Sequence, residues 1–562
     1  RAQVRPETLA ALLLALQLYV LERRRARGGG ALALVAIACV WANVHISYYM
    51  GLTLLGIHLL ARGGMAGRGA ETAAGRDEPG GRGAVQPQAV PGAKAAGLGG
   101  LLSRLDRMPG LALLGCALGA SFANPFGWRA LWQPFEYFLV WRHEPVYRTI
   151  SELTPLYVNW RGTLRSGLPV LVALWPALIV LRALRRRFDP VEALTCAFFT
   201  GLALFNSRFT GFLMIAIVPY LSRDLSEVFG AWRATLALRP PWPRAALACA
   251  VMVLVSWPSW TDVRFPRGIG FVPTLYPEAA CDFIESHGLK GRTFNPFYFG
   301  GYQAWRFWPD RERLPFMDIH QSGTRRDREL YTYAFASPEA WNELMREHDF
   351  QIALLDGHQE WVRGDRLLDR MDADPEWALV FRDDAAALYV RRTGETAAVA
   401  DSFGYRLMPG GNEGFVRLGA PVARDTLVRR ALRAELERRA AGSALNAQAH
   451  SHLANLDFLE SNRAGARAHL AAALAVEPAM AGLRLRLGYL EMAESRWREA
   501  IREFEAERRL GATPEDEYAR MGIAWERLGE PKRAAAAYRR HLETHTDDER
   551  ARAALQRLEA AR

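Results

Sequence analysis

The sequence predicts three parts in series: an α-helical polytopic membrane domain of about eight spans, a small α/β domain outside the bilayer, and an all-α solenoid of repeats. Three observations predict it. Nearly all long apolar runs lie before Trp260. Short strand-like runs alternate with helical patterns between 261 and 400, and alanines recur every 34 residues near the C-terminus.

A membrane span needs about 20 apolar residues. The runs that qualify are roughly 7–22, 29–45, 46–61, 108–123, 166–183, 189–206, 209–221 and 244–260, which makes residues 1–260 the membrane domain. The stretch 31–61 reads either as one tilted helix or as a hairpin turning at Trp41-Ala42-Asn43-Val44-His45. Loop charge favours the hairpin. It places Arg23, Arg24, Arg25 and Arg27 on the side of the basic loop 62–107, together with Arg182, Arg185 and Arg223, as the positive-inside rule asks. Loop 62–107 is rich in Gly and Ala and reads as a flexible cytoplasmic linker. Loop 124–165 opens on the turn signal Asn124-Pro125-Phe126-Gly127 and carries Trp128, Trp132, Tyr137, Trp141, Tyr147, Tyr157 and Trp160. So many aromatics fit an amphipathic periplasmic segment at a membrane surface. No span carries an evident buried carboxylate, which argues against an ion-coupled transporter.

A net charge of +11 would ordinarily raise nucleic acid as a partner. Here the excess is arginine in short segments between apolar runs, so nucleic acid is set aside. Of 71 basic residues only Lys94, Lys290 and Lys532 are lysine, a bias of GC-rich coding that points to a bacterium. Of the five cysteines, Cys39, Cys116, Cys196 and Cys249 fall in apolar runs and Cys281 stands alone. No CxxC or metal-ligand spacing is present, so no cofactor is evident. The chain starts at Arg1 without a signal-peptide pattern, which reads as a fragment or processed product.

Residues 261–400 read as an α/β domain. Pro277–His287 predicts a helix opening on proline. Leu314–Ile319 and Gln351–Leu355 predict buried strands, and Trp377–Phe381 with Ala386–Val390 predicts a pair closed by Arg382-Asp383-Asp384. Residues 401–424 read as a linker. From 425 to 562 the sequence is helical and repetitive. Ala466, Ala500 and Ala534 recur with Leu470, Phe504 and Tyr538, and with Ala454, Gly488 and Gly522. Small residues let paired helices approach and large ones fill the groove between them. The pattern resembles the tetratricopeptide repeat, with the terminal proline clear at Pro478, displaced at Pro514 and replaced by Thr546. Such repeats bind proteins or peptides on one face, here through residues 444–546.

Polar residues among apolar runs are the first site candidates. Asn43, His45, Arg142, Glu152 and Arg208 all fall at one face of the predicted topology, with His143, Glu144 and Arg161 beside them. Arginine and histidine there would clamp a lipid phosphate, and Glu152 would serve as a base or orient a sugar hydroxyl. Capping of a tight turn is the plainer account of Asn43 and His45, and snorkelling that of Arg208. In the α/β part the aromatic stretch around Gly300-Gly301 and the strand-end Asp318 are candidates, with close helix–sheet packing the plainer account of the glycines.

Arg5-Pro6, Trp41–His45, Asn124–Gly127 and Ile150-Ser151-Glu152 are one set of recurrent motifs. Phe294-Asn295 to Asp318 and Trp377 to Arg391 continue it, so that it covers about residues 1–395. Together they resemble bacterial polytopic proteins of the GT-C glycosyltransferase superfamily. The resemblance implies transfer from a polyprenyl-phosphate-linked sugar at the outer face of the bacterial inner membrane, with the C-terminal domains periplasmic. It also implies a catalytic acid in a first outer loop, expected upstream of Arg1, where residues absent from this chain would also hold any divalent metal. The expected partners are the lipid-linked sugar, membrane lipid and a protein held by the repeats. The rival expectation is a non-catalytic, membrane-anchored repeat scaffold for envelope assembly.

Overall fold

The computed structural model describes residues 6–27, 29–73, 108, 110–155, 168–228, 272–320, 323–357, 366–510 and 517–560, with scattered positions between 242 and 257. It divides into two compact units, Arg1–Pro243 and Arg244–Arg562.

Among the described residues the first unit's longer helices are α1 Pro6–Arg27, α2 Ala31–Val44, α3 Tyr48–Ala73, α4 Gly110–Ser121, α5 Trp128–Leu139, α6 Leu168–Leu184, α7 Pro190–Phe205 and α8 Thr210–Val228. Charge placement suits the helix dipole: α1 has Glu7 in its first turn and Arg24, Arg25 and Arg27 in its last. Asp189 caps α7 by accepting from the Val191 amide at 3.1 Å, and Pro190 follows at the first helical position. The stretch 31–61 breaks at His45, whose extended backbone ends α2. The Trp41 indole donates to Ser47 Oγ at 3.0 Å across that turn. Trp41, Leu14, Met50 and Phe199 are buried at the centre. α5 is amphipathic, burying Leu131 and Pro134 while exposing Trp128, Trp132 and Phe135.

These helices correct the expected fold class. Among the described residues no helix is both long and apolar enough to cross a membrane, so the polytopic domain of about eight spans is not what the structure contains. The sequence runs were counted as apolar stretches, but the helices that form are shorter or more charged. The 14 residues of α2 and the 12 of α4 rise about 21 and 18 Å at 1.5 Å per residue, short of the ~30 Å hydrocarbon core. The longer α1 and α8 carry charged turns, with Glu22 to Arg27 in one and Arg223, Asp224 and Glu227 in the other. The run 244–260 lies almost wholly outside the described residues, as do 74–107, Tyr157, Trp160 and Arg161.

A second correction concerns buried carboxylates, which the sequence reading did not find. Asp189, Glu192 and Asp224 are all buried. Arg25 reaches Asp189 at 2.7 Å, and Arg182 reaches Asp224 at 2.8 Å. Arg223 pairs with Glu192 and, at 2.9 Å, with Asp224. Burial and the adjoining Asp224 push Glu192 up to about 7 against the pull of Arg223. The network is compensated from four helices, which is how a core tolerates ions.

In the second unit a four-stranded sheet has the order β1-β2-β4-β3, with β1 and β2 parallel and the other pairs antiparallel. The strands are β1 Thr293–Phe294, β2 Ile352–Asp356, β3 Trp377–Arg382 and β4 Ala386–Arg391. Helices α9 Glu278–Ser286, α10 Phe297–Phe307, α11 Arg325–Ala334, α12 Pro338–His348, α13 Arg366–Ala373 and α14 Ala397–Phe403 surround it. Leu314–Ile319 is not the expected strand. Pro315 has no amide to donate, leaving a single bridge to Thr293. The Phe316 amide is shared between Thr293 O at 3.2 Å and the buried Asn295 side chain at 2.9 Å, and the Met317 amide goes to Asn295 at 3.3 Å.

Helices α15 Asn412–Arg424 and α16 Thr426–Gly442 lead into three helix pairs and a last helix. The pairs are α17 Ala447–Leu459 with α18 Arg463–Val476, α19 Leu483–Ala493 with α20 Trp497–Leu510, and α21 Glu517–Arg527 with α22 Pro531–Leu542; α23 Glu549–Ala560 follows. The small–large register is physical. A Cβ on Gly488 would lie 2.4 Å from the Phe504 ring, and one on Gly522 would lie 2.6 Å from Tyr538. Only glycine allows those rings to seat on the partner helix.

The repeats join the sheet through the β3–β4 turn. The Asp384 amide donates to Leu445 O at 2.9 Å, and Ser443 Oγ donates to Asp383 at 2.8 Å. Arg439, its side chain fully buried, donates to Asp384 at 3.2 Å and to Gln448 at 3.0 Å. Burial holds both aspartates above the usual carboxylate range, and it lowers Arg439 to about 10 with help from the nearby Arg382.

Candidate functional site

In the first unit the sequence candidates gather around a residue the sequence reading passed over. Glu7, in the first turn of α1, pairs with the Arg208 guanidinium and stands 3.8 Å from His45 Nε2. His45 Nδ1 faces Ser47, accepting from its amide at 3.1 Å with the hydroxyl at 2.7 Å, so Nε2 carries the proton toward Glu7. Burial lowers the His45 pKa. Asn206 caps the turn at Arg208, accepting from its amide at 3.1 Å. Ser207 donates to the carbonyls of Glu152 and Thr154, each at 3.0 Å, which brings Glu152 beside the turn. Tyr137 hydrogen-bonds Asn206 and lies within the field of Arg142; burial nonetheless raises its pKa. Arg142 itself donates to His143 at 3.2 Å. Asn43 has a different task, donating to Cys39 O at 2.9 Å and Ala123 O at 2.8 Å, which ties the end of α2 to the end of α4.

In the α/β part, Gly300 lets α10 lie against the backbone of Met317 and Asp318. A Cβ there would sit 2.2 Å from Met317 O, whereas one on Gly301 would meet nothing within 4 Å. Asp318 accepts from the His320 amide at 3.0 Å. Tyr298 donates to Asp356 at 2.5 Å at the end of β2. These contacts position α10 on the sheet.

Side chains of α17, α19 and α21 link successive repeats along one face, at whose edge Tyr489 packs edge-on against Phe504 of α20. Arg486 donates to Ser451 Oγ and Asn455 Oδ1, each at 2.7 Å, linking the first two pairs. The Arg520 guanidinium lies 5.7 Å over the Tyr489 ring, linking the next two. Phe458 and Tyr489 are exposed on this face, 36 and 38 % respectively. Burial lowers the Arg486 pKa without removing its charge. Of the two acidic residues on α21, Glu517 is buried and Glu526 accepts from the Tyr538 hydroxyl at 2.6 Å. Aromatic surface and fixed guanidinium groups thus share one strip. The sequence reading located the repeats but named no residue on this face; the helical register from Gly488 and Gly522 would have found it.

No family model matches the chain, and no curated protein matches it. Solved structures similar to it include the TPR domain of Arabidopsis OM64, at 19% identity and TM-score 0.20, covering 21% of this chain and 96% of that one. MamA protein is similar at 20% identity and TM-score 0.21, covering 23% and 67% respectively. The helix pairs and the two glycine–aromatic seats make the C-terminal region a tetratricopeptide-type repeat.

Proposed function

We propose that the chain is an interaction protein whose repeats hold an extended acidic segment of a partner protein. The observation that carries this is the strip formed by Asn455, Phe458, Arg486, Tyr489 and Arg520, which pairs apolar contact with oriented cations. Arginine forks recognise carboxylates in two-point contacts, and exposed aromatics add area at low entropy cost. Fluorescence anisotropy with acidic, basic and uncharged peptides of about 12 residues tests it. The acidic peptide should bind best and weaken with salt, and Arg520→Glu should weaken it by about tenfold or more. Equal binding of all three peptides, or no effect of Arg520→Glu, would sink the proposal.

A narrower second reading is glycosyl transfer from a polyprenyl-phosphate-linked sugar. It is favoured by one observation, the partly buried Glu7 carboxylate held by Arg208 beside His45. A carboxylate so placed suits a general base. Glu7→Gln should abolish transfer of a radiolabelled sugar from a short-chain donor; undiminished transfer would end this reading.

A further inference from the structure

The first repeat carries a histidine pair that neither reading uses. His450 on α17 and His469 on α18 bring their Nδ1 atoms to 2.9 Å. Their rings are stacked, 5.2 Å between centroids and 29° from parallel. Two imidazole nitrogens on one ion, each at about 2.0–2.1 Å, lie about 2.8–3.0 Å apart when the bonds meet at a right angle, and about 3.3–3.4 Å apart in a tetrahedron. The observed separation matches the right-angled bite.

The surroundings suit a ligand pair. His469 turns its other nitrogen, Nε2, toward Asp457 Oδ2 at 3.7 Å. Asp457 is buried, and that oxygen has no hydrogen-bond partner. Its second oxygen is fixed by Arg433 at 3.0 Å and Asn462 at 3.1 Å. A carboxylate behind a histidine is the usual outer partner of a metal-bound imidazole, because it keeps the proton on the far nitrogen and leaves the near lone pair for the metal. The His469 side chain is 26 % exposed, so an ion has access and its remaining positions are open to water.

We propose that His450 and His469 form a two-histidine chelate for a divalent transition ion with a preference for square geometry, copper(II) above nickel(II) or zinc(II). Imidazole ligands and a right-angled bite both select that class. An ion there pins α17 to α18, the helices that open the repeat array.

Copper(II) titrated into the full, tag-free chain tests it, followed by calorimetry and by EPR at one equivalent. The EPR spectrum should show two equatorial imidazole nitrogens, and the ion should raise the melting temperature. His450→Gln and His469→Gln should each weaken binding by about tenfold or more, since each leaves a single ligand and loses the gain from linking two. His545→Gln, at a half-buried histidine that stacks on His541 4.5 Å away between centroids at the far end of the repeats, should leave affinity unchanged. A wild-type spectrum with one imidazole or with backbone-amide nitrogens overturns the proposal without recourse to any variant. Affinity unaltered in His450→Gln overturns it as well.

Discussion

Replacing Asp384 by alanine should destabilise the second unit by about 3–5 kcal/mol, measured as a fall in the denaturant midpoint at constant slope. The reason lies in the partner left behind. Arg439 is fully buried, and Asp384 is its carboxylate partner at 3.2 Å. Its Nε and Nη1 already lack acceptors, as do Nε and Nη1 of the buried Arg382. Removing Asp384 strands a guanidinium charge away from water and also frees the Gln448 amide, which donates to Asp384 at 3.2 Å. The raised pKa of Asp384 says the ion pair is not itself a large source of stability. The double variant Asp384→Leu/Arg439→Met should therefore recover most of the loss, as buried pairs replaced by apolar groups do. A midpoint unchanged by Asp384→Ala would show that Arg439 reaches water in solution.

Phe504→Ala should cost about 3–5 kcal/mol, the range for a large aromatic lost from a core. Phe504 is wholly buried between α19 and α21, with Met521 and Ala524 in the same cluster. The cavity cannot close easily, because the opposing wall is Gly488, which has no side chain to move. The same geometry makes Gly488→Ala destabilising in the natural chain, through overpacking against the ring. In the Phe504→Ala background it should be neutral or restorative, a coupling that a double-mutant cycle reads directly. Additive losses from the two changes would mean that they do not touch.

What could be read from the sequence follows from how local its cause is. The helix Glu278–Ser286, the strand Ile352–Asp356 and the β3–β4 hairpin fall where their patterns put them, because periodicity and turn residues act over a few positions. The repeat register was legible for the same reason, since Gly488 and Phe504 belong to one helix pair. Leu314–Ile319 misled because an apolar run with a proline lacks a donor that a ladder needs, and in it only Met317 is buried while Ile319 is exposed. In the first unit the break at His45 falls where loop charge put the hairpin turn, but apolar content over a window does not fix how short a helix is, as the 12-residue α4 shows, or which carboxylates fold inward, as Glu192 and Asp224 do. Candidates at two separate turns of one predicted face, His45 and Arg208, do converge, but through Glu7, nearly 40 residues away from the first and about 200 from the second. His450 and His469 escaped notice because their meeting depends on helix pairing, not on a short spacing.

The turn Arg382–Asp384 has a mechanical consequence. A hinge between two bodies needs a stretch whose backbone is free to change its dihedrals. Here the chain between α16 and α17 is held at Ser443, Leu445 and Gln448 by the turn itself. A partner tugging on α21 or α22 therefore loads the edge strand β3 and its doubly paired neighbour β4, instead of swinging the helices on a slack tether. The array works as a stiff arm clamped at its root, and its reach is set by the number of helix pairs it stacks.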